Sequence, residues 1–272
     1  MRWPGARAIF RAPRGCSGSA GRRCTTCSNS MIFRHSHWAA LLLLAACGTA
    51  EPELPPLESA KAALARGDGF AAESELRSLL DVGRPRAELA AYLGKAELLQ
   101  GNLPEARYWL GTGAFSDDTR GLGFHTLGRL ELAEGNLPAA ARSFDRAYKF
   151  IPDDPGLWSD IGRLRYRGGQ QAQAIEASIR AVELGPEHPR ALLFRAQLVR
   201  DAAGVRDALE WFERAVEANP QDAELLVDYA ATLGEAGQAR AMLATLRAAS
   251  ELTADNRQAQ FVQAVLAARA GD

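Results

Sequence analysis

Apolar residues recur at helical spacing along most of the chain. Between residues 124 and 132 they keep to one face of a helix, and Ala140, Phe144 and Ala147 mark the face of a second helix. Gly135 lies between the two stretches, and glycine is the residue that most easily takes the positive φ with which many helices end. The pattern predicts two helices joined by a turn at Gly135.

This helix–turn–helix pattern repeats every 34 residues. The hexapeptide GNLPEA begins at Gly101, and GNLPAA begins 34 residues later at Gly135. The same interval separates members of a glycine column (Gly67, Gly101, Gly135, Gly169, Gly237, Gly271), two alanine columns (Ala72, Ala106, Ala140, Ala174, Ala208; Ala147, Ala181, Ala215) and a proline column (Pro152, Pro186, Pro220). Four columns in phase predict an array of structural repeats. The units are 53–86, 87–120, 121–154, 155–188, 189–222 and 223–256, and one further first helix lies in 257–270.

Proline positions support the same boundaries. Pro104 and Pro138 follow the turn glycine, where proline suits the first turn of a helix because its missing N–H costs nothing there. Pro152, Pro186 and Pro220 stand where the second helix of a unit must stop.

The columns together resemble the tetratricopeptide repeat. Residues 155–188 carry the resemblance best, with Trp158, Ile161, Gly162, Gly169, Ala174, Ala181 and Pro186 in the family's positions. The resemblance implies an all-α fold: a right-handed superhelical solenoid of about six helix pairs over residues 58–270, with a C-terminal capping helix. It also implies a non-catalytic scaffold whose concave groove binds a protein or peptide.

The resemblance places five positions of each unit in that groove: two, five, nine, twelve and thirteen. Position nine reads Lys61, Lys95, Arg129, Arg163 and Gln197 in successive units. The predicted groove residues are Lys61, Lys95, His125, Arg129, Arg163, Tyr166, Arg167, Leu193 and Arg200. One interpretation is a positive groove for an acidic or carboxylate-bearing peptide. The other is a solvated face whose charge is cancelled by neighbouring acids such as Glu88, Glu97 and Glu131.

The amino-terminal region predicts that the protein is exported to the bacterial envelope. Residues 31–46 combine a basic start, a short apolar core and small residues, as in a secretory signal peptide. Leu44-Ala45-Ala46-Cys47 resembles the bacterial lipobox, which implies cleavage before Cys47 and lipidation of that cysteine. Residues 47–57 would then be a linker, and Gly48 after the cysteine favours an outer-membrane lipoprotein that faces the periplasm.

Residues 1–30 fit less well with that signal. They precede Met31, itself a sensible start, and are predicted either to lie upstream of the true start or to be disordered. A twin-arginine signal at Arg22-Arg23 and a mitochondrial presequence are the two rival interpretations.

Charge and residue content argue against several other functions. Residues 1–46 hold seven arginines and no acid, so the remaining 25 basic and 33 acidic residues give that part a net charge of −8. An acidic body without a basic stripe argues against nucleic-acid binding. With two histidines and no cysteine after Cys47, we expect no metal site, and we expect no cofactor, small-molecule substrate or catalytic residue. Gly111-Thr-Gly113 and Gly121-Leu-Gly123 lack the spacing of a dinucleotide loop and are interpreted as flexible loops.

These observations predict a lipid-anchored adaptor in envelope assembly. The resemblance extends weakly to lipoproteins of pilus assembly (of the tight-adherence type) and of secretion. An adaptor that recruits a peptidoglycan hydrolase or a protease is the alternative. A soluble co-chaperone is a third possibility if the lipobox is fortuitous.

Overall fold

A computed structural model describes residues 54–252, and the regular secondary structure in this part of the chain is helical. The described helices are α1 (Pro56–Arg66), α2 (Gly69–Asp81), α3 (Arg86–Leu99), α4 (Leu103–Leu110), α5 (Arg120–Ala133), α6 (Leu137–Tyr148), α7 (Pro155–Arg167), α8 (Gln171–Leu184), α9 (Pro189–Ala203), α10 (Val205–Ala218), α11 (Ala223–Glu235) and α12 (Ala239–Leu252). A short 3-10 turn at Asp117–Thr119 precedes α5. The helices pair as the 34-residue period predicts, so the all-α helical-repeat fold is confirmed over these residues. The capping helix predicted in 257–270 lies outside the described residues.

Each turn within a unit is closed by its glycine. Gly135 has a φ of 79°, and the N–H of Asn136 donates to the carbonyl of Glu131 at 2.8 Å, which closes the end of α5. The Asn136 side chain then accepts a hydrogen bond from the N–H of Ala139 at 3.2 Å and so caps α6. Pro138 lies in the first turn of α6, as predicted. In the fifth unit Ala203 occupies the glycine column, and the positive φ moves one residue on to Gly204.

Small residues let the helices of one unit pack closely. The alanine columns are buried, and Ala140 and Ala174 are fully covered. At Gly128 on α5, the ring of Phe144 from α6 lies where a side chain would begin, since a Cβ there would be 2.5 Å from the ring. Phe144 is itself 1% exposed. Helix α5 and helix α6 are therefore joined by a large ring set into a glycine gap.

Successive units pack through their first helices. Helices α1, α3, α5, α7 and α9 follow one another as a continuous layer, with contacts between α1 and α3, α3 and α5, α5 and α7, and α7 and α9. Each second helix also contacts the first helix of the following unit. Side chains on consecutive first helices therefore meet at intervals close to the repeat length.

The second unit departs from the others at its second helix. Helix α4 has 8 residues, whereas the other second helices have between 12 and 14. Residues 111–116 form a loop in place of its last turns, and the N–H of Ser116 ties this loop to the carbonyl of Ala87 at 2.9 Å. Phe115 in the loop is buried against Gly123, where a Cβ would lie 2.5 Å from its ring.

This arrangement corrects one interpretation of the glycine pairs. Gly111 and Gly113 lie at or in the loop after α4, as expected, but Gly121 and Gly123 lie inside helix α5. The second pair is therefore not a flexible loop. Because Gly123 has no side chain, the ring of Phe115 packs directly on the backbone of α5 there.

Candidate functional site

The position-nine side chains face the next first helix along the layer. Four of the five lie against the residue at position six of the following unit, 31 residues further along the chain. The pairs are Lys61 with Tyr92 (ammonium nitrogen to ring centroid, 5.8 Å), Arg129 with Asp160 (Nε to Oδ2, 3.7 Å), Arg163 with Phe194 (guanidinium carbon to ring centroid, 5.0 Å) and Gln197 with Asp228 (Nε2 to Oδ2, 2.7 Å). We call these position-nine and position-six residues the ladder. The predicted row of cations is thus assembled, but each member has a different partner.

Lys95 occupies the ladder step that offers no such partner. The position-six residue after it is Thr126, which is buried and carries no charge. Lys95 is half-buried and makes no hydrogen bond or ion pair among residues 54–252. Burial lowers the pKa of Lys95, and the charges of Arg129 and Arg190 lower it further. The charge of Asp154 opposes these effects without outweighing them, so this ammonium group lies in a net positive environment and makes no ion pair with the described residues.

A buried carboxylate, Asp160, lies at the centre of the ladder. It is 2% exposed, its Oδ2 is 2.8 Å from Nε2 of His125, and its Oδ1 accepts from Nη2 of Arg190 at 2.7 Å. Burial alone would raise the pKa of Asp160, but Arg190, His125 and Arg129 outweigh it and hold this pKa well below its usual range. Asp160 is therefore charged at neutral pH and organises side chains from α5, α7 and α9.

The cations around Asp160 outnumber it. Burial is the main cause that lowers the pKa of Arg129 to about 10, and repulsion from Arg190 adds to it. The pKa of Arg163 is lowered by burial and by the same neighbour, although Asp160 opposes both effects. Three arginines, Arg129, Arg163 and Arg190, thus share one buried carboxylate, and Lys95 lies close enough to be repelled by two of them. An incoming anion would relieve that repulsion.

The far end of the ladder is closer to charge balance. Gln197 accepts from Nη1 of Arg163 at 3.0 Å and donates to Asp228 at 2.7 Å. Arg200 donates to Oγ1 of Thr232 at 3.1 Å, and its Nη1 is 3.8 Å from Oδ1 of Asp228. These bonds fix α9 to α11 and leave little excess positive charge there.

The other predicted groove residues lie on the same helices with separate partners. Tyr166 donates to Oδ2 of Asp201 at 2.6 Å, a hydrogen bond that raises the pKa of Tyr166. Arg167 donates to the carbonyl of Leu132 at 2.7 Å, so it joins α7 to the end of α5. Leu193 is half-buried and packs on an apolar cluster that includes Phe212. Lys61 pairs with Glu58 at 2.8 Å at the edge of the array.

The three glutamates expected to cancel the positive charge of the groove pair with side chains outside the ladder. Glu88 pairs with Arg84 at 2.8 Å, Glu97 with Arg77 at 3.3 Å, and Glu131 accepts from Ser143 at 2.6 Å. The carboxylates within the ladder are Asp160, which contacts Arg129, and Asp228, which contacts Gln197, and both stand at position six of their units. Sequence reasoning missed them, together with Arg190, although a comparison of position six with position nine across the units would have found the two aspartates.

Two further predictions concern the membrane. Cys47, the predicted lipidation site, lies outside the described residues, as do the signal peptide and most of the linker. Of the helices within residues 54–252, none combines the length and the apolar character needed to cross a bilayer.

Comparisons with known proteins identify the repeats. A profile of the tetratricopeptide repeat family matches residues 57–116 and 159–223. A search of curated proteins finds no match.

Solved structures share the fold at low sequence identity. A thermophilic tetratricopeptide repeat protein of Thermus thermophilus, TTC0263, has a TM-score of 0.55 and 22% identity, with 65% of this chain and 97% of that chain covered. The pilF protein of Pseudomonas aeruginosa has a TM-score of 0.50 and 16% identity, with 77% and 95% covered. The APC/C hetero-tetramer Cut9-Hcn1 has a TM-score of 0.56 and 14% identity, with 82% of this chain and 44% of that chain covered.

The profile, the helix pairs and these structures agree. The described part of the chain repeats one helix pair six times in the register that the glycine and alanine columns set, and the profile falls on both halves of the array. Residues 57–116 and 159–223 are therefore tetratricopeptide repeats, and the described residues as a whole have the helical-repeat fold of that family, which generally serves as a non-catalytic scaffold for protein interactions.

Proposed function

We propose that the ladder, together with the neighbouring Arg190, binds an anionic segment of a partner protein, with its strongest contact at Lys95, Arg129 and Arg190. The observation that supports this most directly is the imbalance around Asp160, where Arg129, Arg163 and Arg190 share one buried carboxylate and repulsion from Arg129 and Arg190 reaches Lys95. Contacts with Asp160 fix Arg190 and hold Arg129 nearby, so the guanidinium groups are already placed before a ligand arrives. A peptide carboxylate would enter beside Lys95, whose donors have no partner among the described residues.

The partner, in this proposal, is a protein of the bacterial envelope. The lipobox at Cys47 would hold the array at the outer membrane facing the periplasm, and the ladder would take a segment of a pilus or secretion component. The likeness to pilF of Pseudomonas aeruginosa concerns the fold alone and is compatible with this role. Recruitment of a peptidoglycan hydrolase or a protease is the alternative, and it would use the same ladder.

The ladder is tested by reversing the charge of Lys95, the ladder cation that makes no hydrogen bond or ion pair with the described residues. Lys95→Glu should weaken binding of a fluorescein-labelled peptide rich in glutamate at least about tenfold in fluorescence polarisation, since it replaces an attraction by a repulsion. Arg206→Glu makes the same charge change at an exposed site on α10 and should leave the Kd unchanged. Circular dichroism and melting should show both variants folded. Equal Kd values for Lys95→Glu and the parent would contradict the proposal.

The envelope role needs a separate experiment. Cross-linking in intact bacteria, followed by capture of the full chain from membranes, should recover pilus or secretion components with the parent and with Arg206→Glu, and not with Lys95→Glu. Capture of cell-wall hydrolases in the same pattern would favour the alternative. If capture does not depend on Lys95, the partner binds outside the ladder.

A further inference from the structure

A cavity lies beside the loop that replaces the end of α4. Its volume is about 490 Å³, within the range of roughly 300–1,000 Å³ typical of ligand pockets, and it is partly open to solvent. It is lined by the loop residues 113–115, by Arg120 and Phe124 of α5, and by Arg146, Lys149 and Phe150 at the end of α6. None of these residues belongs to the ladder.

The wall formed by the loop is held in place. Gly113 has a φ of 64°, which lets the chain turn back after α4, and Phe115 is 6% exposed. Its ring packs edge-to-face on Phe124, with 5.3 Å between centroids. Because Ser116 also bonds to Ala87, the loop is fixed at both its apolar and its polar side. The cavity is therefore a consequence of the shortened α4 and has no counterpart expected from the repeat itself.

Aromatic rings and cations meet in this cavity. The guanidinium carbon of Arg146 lies 3.7 Å from the centroid of the Phe124 ring, and Phe150, next to it, is 46% exposed. Arg146 and Lys149 make no ion pair or side-chain hydrogen bond among residues 54–252, and Arg120 pairs only with the exposed Asp117, at 2.7 Å. The cavity thus offers the exposed ring of Phe150 beside two cations whose hydrogen-bond donors have no partner among the described residues.

We propose that this cavity binds an aromatic or other apolar side chain that carries an adjacent carboxylate, as at the carboxyl-terminal residue of a polypeptide. The exposed ring of Phe150 would receive the apolar body, while Arg146, which lies over the buried ring of Phe124, and Lys149 would hold the carboxylate. A free aromatic carboxylic acid has the same chemistry and is the second possible source.

An anionic membrane surface fits this cavity less well. Asp117, which is 83% exposed in its side chain, and its exposed neighbour Asp118 stand beside the lining residue Arg120. Their charges would repel a continuous anionic surface that approached Arg120. The volume also suits one side chain and its carboxylate better than an extended surface.

Calorimetric titration of the full chain tests this site. The probe is an acetylated pentapeptide that ends in phenylalanine with a free carboxylate. Controls are the same peptide as a carboxamide, N-acetylphenylalanine, and phosphatidylglycerol vesicles. We expect the free-acid peptide to bind and the carboxamide to bind at least about tenfold more weakly, because the charge-assisted bonds are lost. Binding of N-acetylphenylalanine as tight as that of the peptide would support the site and assign it to the free acid.

Variants assign the binding to this cavity. Arg146→Gln with Lys149→Gln should raise the Kd at least about tenfold. Arg142→Gln, an exposed position one turn earlier on α6, should leave it unchanged. These three substitutions lie at exposed positions and introduce glutamine, which favours helices, so we expect the variants to fold.

Four results would overturn the proposal. They are no binding of either acid, equal binding of acid and carboxamide, binding to the vesicles alone, and loss of binding in Lys95→Glu but not in the Arg146 and Lys149 variant. The last would place the ligand in the ladder.

Discussion

At the residue scale, charge in this array is arranged by the identity of position six. The same column reads tyrosine, threonine, aspartate, phenylalanine and aspartate along the ladder, so successive position-nine side chains meet a ring, a neutral hydroxyl or a carboxylate. Where the column supplies Asp160, an arginine on either side is held in place. Where it supplies Thr126, Lys95 is left without an anion among the described residues. The residue at position six therefore distinguishes the arginines that pair with Asp160 from Lys95, which has no such partner among the described residues.

Removal of the Asp160 charge should destabilise the fold. Asp160→Asn leaves Arg129, Arg190 and His125 around a neutral group, and we expect a loss of about 3 kcal/mol in the free energy of unfolding, at the lower end for a broken buried pair because Arg190 is partly exposed. Urea unfolding at pH 7 measures this, with Asp145→Asn on the exposed face of α6 as the control. A loss no larger than that of the control would contradict the role given to Asp160.

The pH dependence of that difference has a definite sign. Because the folded-state pKa of Asp160 lies below its usual range, its contribution to stability is fully present above the unfolded-state pKa, about 3.9. It is lost only as the pH falls from there through the folded-state pKa. The gap in stability between the parent and Asp160→Asn should therefore shrink below about pH 4. A gap that widens on acidification would contradict this assignment.

At the element scale, the sequence predicted the helices well because the signals that begin and end them are local. Turn glycines, first-turn prolines and apolar spacing act within a few residues, and the helices fall in the predicted units. The ladder contacts could not be obtained in the same way, since they join side chains about 31–35 residues apart on different helices. The shortened α4 also escaped prediction, because its loop is fixed by the packing of Phe115 on Gly123.

Close packing within a unit predicts a strong dependence on Gly128. In Gly128→Ala the new methyl group would lie 2.5 Å from the buried ring of Phe144, which has no space to move into. We expect a loss of about 1–3 kcal/mol in the free energy of unfolding. Gly168→Ala is the matched control, because its Cβ would meet only backbone oxygens at 3.4 Å and 3.5 Å, and it should change stability by less than about 1 kcal/mol. Thermal and urea unfolding of both variants measure the contrast; equal losses would contradict the packing argument.

At the scale of the whole molecule, an acidic chain concentrates positive charge on one layer. Residues after 46 carry a net charge of −8, yet Arg129, Arg163 and Arg190 gather around Asp160. Glutamates such as Glu88 and Glu97 pair with arginines elsewhere. In a repeat array each unit contacts only its neighbours, so this pattern arises step by step along the chain. The lipid anchor proposed at Cys47 would hold this layer near the membrane.

The anchor itself is tested by lipid labelling of the full chain in a bacterial host. If Cys47 is the lipidated residue, labelled palmitate should enter the parent, and Cys47→Ala should carry no label, because the thiol that accepts the diacylglycerol is absent. Cys27→Ala, which removes a cysteine within the region ahead of Met31, should be labelled like the parent. Fractionation should then place the parent and Cys27→Ala in the membrane pellet and Cys47→Ala outside it, since stable anchoring needs more than one acyl chain. A parent without label would remove the envelope adaptor from consideration and leave the soluble co-chaperone, whereas the binding experiments on Lys95 and Arg146 would keep their meaning in either case.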